Sequence, residues 1–141
     1  LMGLSHKMEE VIAGSALKSF VEVAKVDHLV FKFRIYLALF DLENVAPEKV
    51  ATHTACRLGK WYYEGEGKDC FSRLPGYREI ESPHIEVHRM GIQALEAKGR
   101  GDPDTMLRHV EAMEKASSAV IDNLQLMSDS ATRDPSLLCH S

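Results

Sequence analysis

The sequence predicts an all-α protein, an antiparallel four-helix bundle, on three observations. Apolar residues recur at intervals of three and four along separate stretches. Turn residues and cap-then-proline pairs divide those stretches, and no segment alternates polar and apolar residues as a half-buried strand would.

From Met8 to about Leu42 the series Leu17, Phe20, Ala24, His28, Phe31, Ile35 and Ala38 keeps the period of one helix face, which predicts a long first helix. His28 falls inside this apolar stripe. A histidine there is either a core residue satisfied by one hydrogen bond or a ligand.

The stretch NVAPEKVATHTACRLGKWYYEG predicts a second helix, with Pro47 and Glu48 suited to its first turn and Gly65 to its end. Cys56 and Gly59 fall in the middle of it. A mid-helix glycine costs about 1 kcal/mol relative to alanine, so Gly59 marks a close approach by a neighbouring helix or a crowded site around Cys56. Without such a site Cys56 reads as an inert buried thiol. Trp61, Tyr62 and Tyr63 read as core packing with one ring partly exposed.

GEGKDCFSRLPGYREIES reads as a surface connection with a short helical turn around Cys70 to Leu74. Ser82 as N-cap and Pro83 at the first helical position predict a third helix from about His84 to about Lys98, closed by GRGDP. Asp102 and Pro103 repeat that start signal. Met106, Val110, Met113, Ser117, Val120, Leu124 and Met127 then mark a fourth helix whose methionines are core packing.

At 141 residues and 15.8 kDa the chain has room for one domain and not for two. Its apolar run is broken by Lys32 and Arg34, and no basic-then-apolar signal opens it, so neither a membrane span nor secretion is expected and the cytoplasm is the predicted location. A formal charge of -4 without a dense Lys/Arg cluster argues against nucleic acid as partner. Cys56, Cys70 and Cys139 are odd in number and spaced unlike a disulfide framework. Thiol or metal chemistry in a reducing compartment is therefore expected in preference to cross-links.

His84 and His88, in HIEVH, stand one helical turn apart and can aim both rings at one ion. The protease motif with this spacing needs a glutamate beside its first histidine, and that position holds Ile85. Glu86 lies about 200° round the helix from His84 and faces away. His28, Cys56, His84 and His88 come from three helices and together make a three-histidine, one-cysteine set that suits tetrahedral zinc, with no open position if all four bind. His6, His53, His109 and the adjacent Cys139 and His140 read as solvated or incidental, the last two in a disordered tail.

These residues also carry a resemblance. His28-Leu-Val-Phe31, Cys56-Arg-Leu-Gly59-Lys-Trp61 and His84-Ile-Glu-Val-His88, in this order, resemble the chemoreceptor zinc-binding domain family over roughly residues 14–125. The resemblance implies a bacterial cytoplasmic sensory domain that binds Zn2+ through His28, Cys56, His84 and His88. It also implies a homodimer and, in some members, a response to oxidants such as hypochlorous acid through a redox-reactive Cys56. The stretch EEVIAGSALKSFVEVAKVDH resembles the segment after a chemoreceptor's signalling hairpin. The expected organisation is thus a lead-in helix over 1–13 continuing from a signalling region, the zinc-binding domain over 14–128, and a disordered tail over 129–141. The expected parent is a chemotaxis receptor, of which this would be a C-terminal piece, acting through its fused signalling domain on a downstream kinase and adaptor, with no membrane contact by the domain itself.

Three other readings compete. A diguanylate cyclase could be the regulated partner in place of a receptor. A metalloenzyme would need either an open zinc position with a nearby base or paired Glu-x-x-His motifs for a di-iron centre, and Glu86-Val-His88 is misspaced and has no second copy. The third is a dimerisation bundle whose metal-capable residues are incidental.

Overall fold

The computed structural model describes residues 2–139, and of Met2 and Leu4 the backbone alone. Among these residues every regular element is helical, as the sequence predicts, and no strand forms. In chain order the α-helices are α1 (Met2–Leu39), α2 (Arg57–Tyr63), α3 (Glu81–Gly99) and α4 (Pro103–Arg133). The three long ones make the frame: α3 and α4 pack along each other and α1 lies against both. None of the helices is long and apolar enough to cross a membrane.

α1 buries Leu17, Val21, Ala24, His28, Ile35 and Ala38, the stripe expected of it except that Val21 is added and Phe20 and Phe31 are only half-buried. Its end is a Schellman motif: Asp41 takes the left-handed conformation at φ 60°, and the N–H groups of Leu42 and Asp41 donate to Leu37 O at 2.8 Å and Ala38 O at 3.2 Å. The opposite face of the same helix is also apolar. Val23, Val26, Val30, Phe33 and Phe40 are 38%, 57%, 52%, 63% and 69% exposed, spaced by three, four, three and then seven residues. A helix apolar on both sides needs cover on both sides, and here only one is covered.

The second helix does not form as expected. In place of one helix from Pro47 to Gly65 there is a 3-10 turn (Pro47–Lys49), a loop, and the seven residues of α2. Val50, Thr52 and Thr54 explain the break, since β-branched residues lose side-chain freedom in a helix and threonine hydroxyls offer competing bonds. Here the two threonine hydroxyls lie 3.1 Å apart. Cys56, in extended conformation at ψ 165°, is the N-cap of α2, and its sulfur accepts the Gly59 N–H at 3.4 Å. A Cβ on Gly59 would stand 1.8 Å from His53 O, so the glycine admits a loop backbone and not a neighbouring helix. Trp61 stacks between Phe20 at 4.4 Å and Phe71 at 5.9 Å, and Tyr62 stacks on Tyr77 at 4.2 Å, which ties α2 to the core.

The connection beyond α2 contains a π-helical turn (Gly67–Phe71) and a 3-10 turn (Arg78–Ile80) that runs straight into α3. Ser82 is therefore the second residue of α3 and not its cap. The backbone at Tyr77 and Ile80 is already helical, so the preceding turn takes over the role assigned to a side chain. Between α3 and α4 the expected signals hold. Gly101 is left-handed at φ 71°, the Asp102 N–H donates to Ala97 O at 3.0 Å, and Asp102 Oδ1 accepts from the Thr105 N–H at 3.1 Å.

The far end differs most. α4 continues to Arg133, a 3-10 turn (Pro135–Leu137) follows, and Leu138 is 1% exposed. Cys139 is joined to Cys70 by a disulfide across 69 residues of sequence. The expectation of a disordered tail and of no cross-link thus fails for residues 129–139, because an apolar Leu138 brings the tail back onto the core and sets two cysteines side by side. His140, read as incidental, lies outside the described residues. The odd cysteine out is Cys56, the single free thiol of the three.

Candidate metal centre

His84 and His88 lie on the buried face of α3, 3% and 5% exposed, with ring centroids 4.9 Å apart and planes near perpendicular. Glu86 sits on the outer side, bonded to Arg89 at 2.6 Å, and offers the histidines no base. Cys56 reaches them from the start of α2, its sulfur 3.2 Å from His84 Nε2. One donor atom from each of Cys56, His84 and His88 falls within 4.8 Å of the other two. Zn–N bonds of ~2.0–2.1 Å and Zn–S bonds of ~2.3 Å put the edges of a zinc tetrahedron at roughly 3.3–3.6 Å, so small shifts bring these donors onto one ion.

Backbone groups of the loop before α2 aim the ligands. His88 Nδ1 donates to Ala51 O at 2.7 Å, which fixes the tautomer and leaves Nε2 free to bind a metal. Phe31 lies against the same ring at 4.4 Å. The Cys56 sulfur takes the Gly59 N–H and faces His53 O at 3.5 Å. His53, expected to be incidental, lies with its ring 5.9 Å from that of His84, edge to face. Nothing in sequence spacing points to Ala51, whose contribution is a carbonyl that every residue possesses.

His28 lines the same cavity, of about 60 Å³, as Cys56, His84 and His88. Its Nε2, however, is bonded to Ser117 Oγ at 2.6 Å, which is the arrangement of a core histidine satisfied by one partner. The structure thus brings together three of the four expected ligands and sets the fourth at the cavity wall. A space of this size admits an ion or a water, whose share of liquid is ≈ 30 Å³, and falls well below the ≈ 300 Å³ at which small-molecule sites begin.

Burial governs the electrostatics. Desolvation, then the charge of Lys32, lowers His28 from 6.5 to about 4; desolvation, then His88 and His53, lowers His84 to about 3. Burial also lowers His88, against the pull of Ala51 O in the other direction. All three rings are neutral at pH 7, the form in which imidazole binds a metal. Burial pushes the Cys56 thiol up, opposed by the N–H groups of Gly59 and Leu58. Two neutral imidazoles and one sulfur fit zinc, a borderline-soft ion, better than they fit the oxygen-seeking magnesium or calcium.

Comparison with curated proteins and with solved structures returns no match. The family model of the chemoreceptor zinc-binding domain matches residues 28–95, a span that opens on His28 and contains Cys56, His84 and His88. That family is one of zinc-binding regulatory domains and not of catalysts. Over residues 28–95 this chain is thus similar to the chemoreceptor zinc-binding domain family.

Proposed function

We propose that this protein is a zinc-responsive sensory module of a bacterial chemotaxis receptor, with Cys56 as its redox-reactive ligand. The observation that carries the reading is the convergence of Cys56, His84 and His88 within a family match. His84 and His88 would hold the ion from α3 and Cys56 from α2. His28 would complete the set by turning its ring away from Ser117. When bound, zinc supplies a closed four-ligand centre and keeps the Cys56 sulfur as thiolate.

The half-buried sulfur of Cys56 is open to a small oxidant. Hypochlorous acid would convert the thiolate to sulfenic acid, the sulfur losing two electrons and chlorine leaving as chloride. The ligand so lost is the one that joins α2 and its loop to α3, so this segment is freed to move. The movement would pass to a fused signalling domain and its downstream kinase and adaptor, in the cytoplasm. The working unit would be a homodimer, and the uncovered apolar face of α1, from Val23 to Phe40, supports this.

Elemental analysis and competition against a calibrated chelator test the site on wild type, His84→Ala and Cys56→Ala. One zinc per chain is expected, with affinity in both variants falling by more than the ~100-fold that outer partners of a metal ligand command. A folded wild type that takes up no zinc overturns the reading. Sedimentation of the same wild type beside Phe33→Glu tests the dimer. Conversion to a monomer that keeps its zinc is expected, and a wild-type monomer refutes the assembly.

A further inference from the structure

We propose that Cys70 and Cys139 form a second redox site, independent of the metal centre, that latches residues 134–139 onto α1 when oxidised and releases them when a dithiol reduces it. The disulfide is one of several devices that hold this segment. The Cys139 N–H donates to Cys70 O at 3.2 Å, and Arg73 Nη2 donates to Ser136 O and to Leu138 O, each at 3.2 Å. Leu138 is buried against α1, its Cδ1 3.9 Å from where a Cβ on Gly14 would stand.

Those contacts fall on the part of α1 that has least else to hold it. Ahead of Leu17 no described side chain of α1 is fully buried, and Met8, Val11 and Ile12 are 57%, 67% and 65% exposed. The half-buried Ala13 and Gly14 are the inward positions there, and the tail lies over them. Whether 134–139 is latched therefore sets how firmly the first third of α1 is bound to the domain.

Both cysteines are half-buried, so a small or flexible thiol can reach their sulfurs. In the step proposed, a thiolate of the dithiol attacks one sulfur, the Cys70–Cys139 bond breaks, and the second thiol of the reductant resolves the mixed disulfide. The dithiol is oxidised by two electrons to its own disulfide, and its two protons end on Cys70 and Cys139. Non-covalent contacts, those of Arg73, Leu138 and the Cys139 N–H, then hold the tail, and loop closure no longer favours its return.

The test uses the zinc-loaded chain with and without a phosphine reductant, which leaves no thiol to compete for the metal. Denatured samples labelled with a maleimide should take one label on the oxidised chain, at Cys56, and three on the reduced chain. Amide exchange at residues 134–139 and 10–18 should quicken at least about tenfold on reduction, through local opening. Zinc content should not change. Cys70→Ser and Cys139→Ser should exchange like reduced wild type in either condition. Three labels on wild type after incubation with oxidised glutathione, or equal exchange in the two forms, would overturn the latch. Zinc binding has its own readout, so failure of the metal centre leaves this outcome legible.

Discussion

The candidate metal centre has two unlike halves. His84 and His88 stand on α3, a nineteen-residue helix packed along α4 and joined to it by a glycine-closed, aspartate-capped turn. Cys56 stands at the N-cap of a seven-residue helix, after a loop with no regular structure, held by single contacts to Gly59 N–H and His53 O. The α3 half is set by helix geometry, and the Cys56 half is set by how closely one loop lies against one glycine. A centre built this way is stiff on the histidine side and adjustable on the thiol side, which is what the proposed response to an oxidant requires.

Gly59→Ala is the sharpest way to break this asymmetry. The added Cβ would sit 1.8 Å from His53 O and 2.9 Å from His53 C, both backbone atoms that no rotamer change can remove. The loop must retreat, carrying Ala51 O away from His88 and the sulfur away from His84. The expected result is a zinc affinity lower by roughly 10–100-fold, the range seen when the outer partners of metal ligands are lost. Far-ultraviolet circular dichroism should stay near wild type, because the atoms nearest the added methyl belong to His53 and Thr54 of the loop and not to α1, α3 or α4. An unchanged affinity would mean that the loop does not position Cys56.

The same division decides what could be read from sequence. HIEVH was legible because i and i+4 on a helix fix a geometry, and Asp102-Pro103 because a cap and an N1 proline act on their own neighbours. Cys56 was legible as a ligand by its chemistry and through resemblance, but its place at an N-cap, and not in mid-helix, was not. A helix through Thr52 and Thr54 looked continuous by hydrophobic period, while their β-branching and side-chain bonding stop it. Ala51 and His53 act through backbone carbonyls, which have no signature in sequence. Ser117 was legible as core and not as the partner of His28, because that bond spans 89 positions. Pairing of Cys70 with Cys139 requires two backbones to approach within a few ångströms, a condition that cysteine counting cannot test. The apolar face of α1 from Val23 to Phe40 runs two residues out of phase with the buried stripe, so a search that found the first face passed over the second.

Proton release offers a gentler probe of the two halves. The histidines are held neutral far above their lowered values of about 4 for His28 and about 3 for His84, so between pH 6 and pH 8 they have no proton to give up to an entering metal. His88 is lowered in the same direction. Cys56 is shifted the other way, upward by burial, so it enters that range as a thiol and must lose its proton to become a ligand. The sign follows: raising the pH lowers the cost of the thiolate and strengthens binding. Zinc affinity should climb about tenfold per pH unit across this window, one proton per ion, without levelling off. In Cys56→Ala the slope should vanish while a weak, pH-independent affinity persists at His84 and His88. A slope of two or more in wild type would show that an imidazole also discharges a proton, and so that the α3 half is wetter and less fixed than its burial in this fold implies.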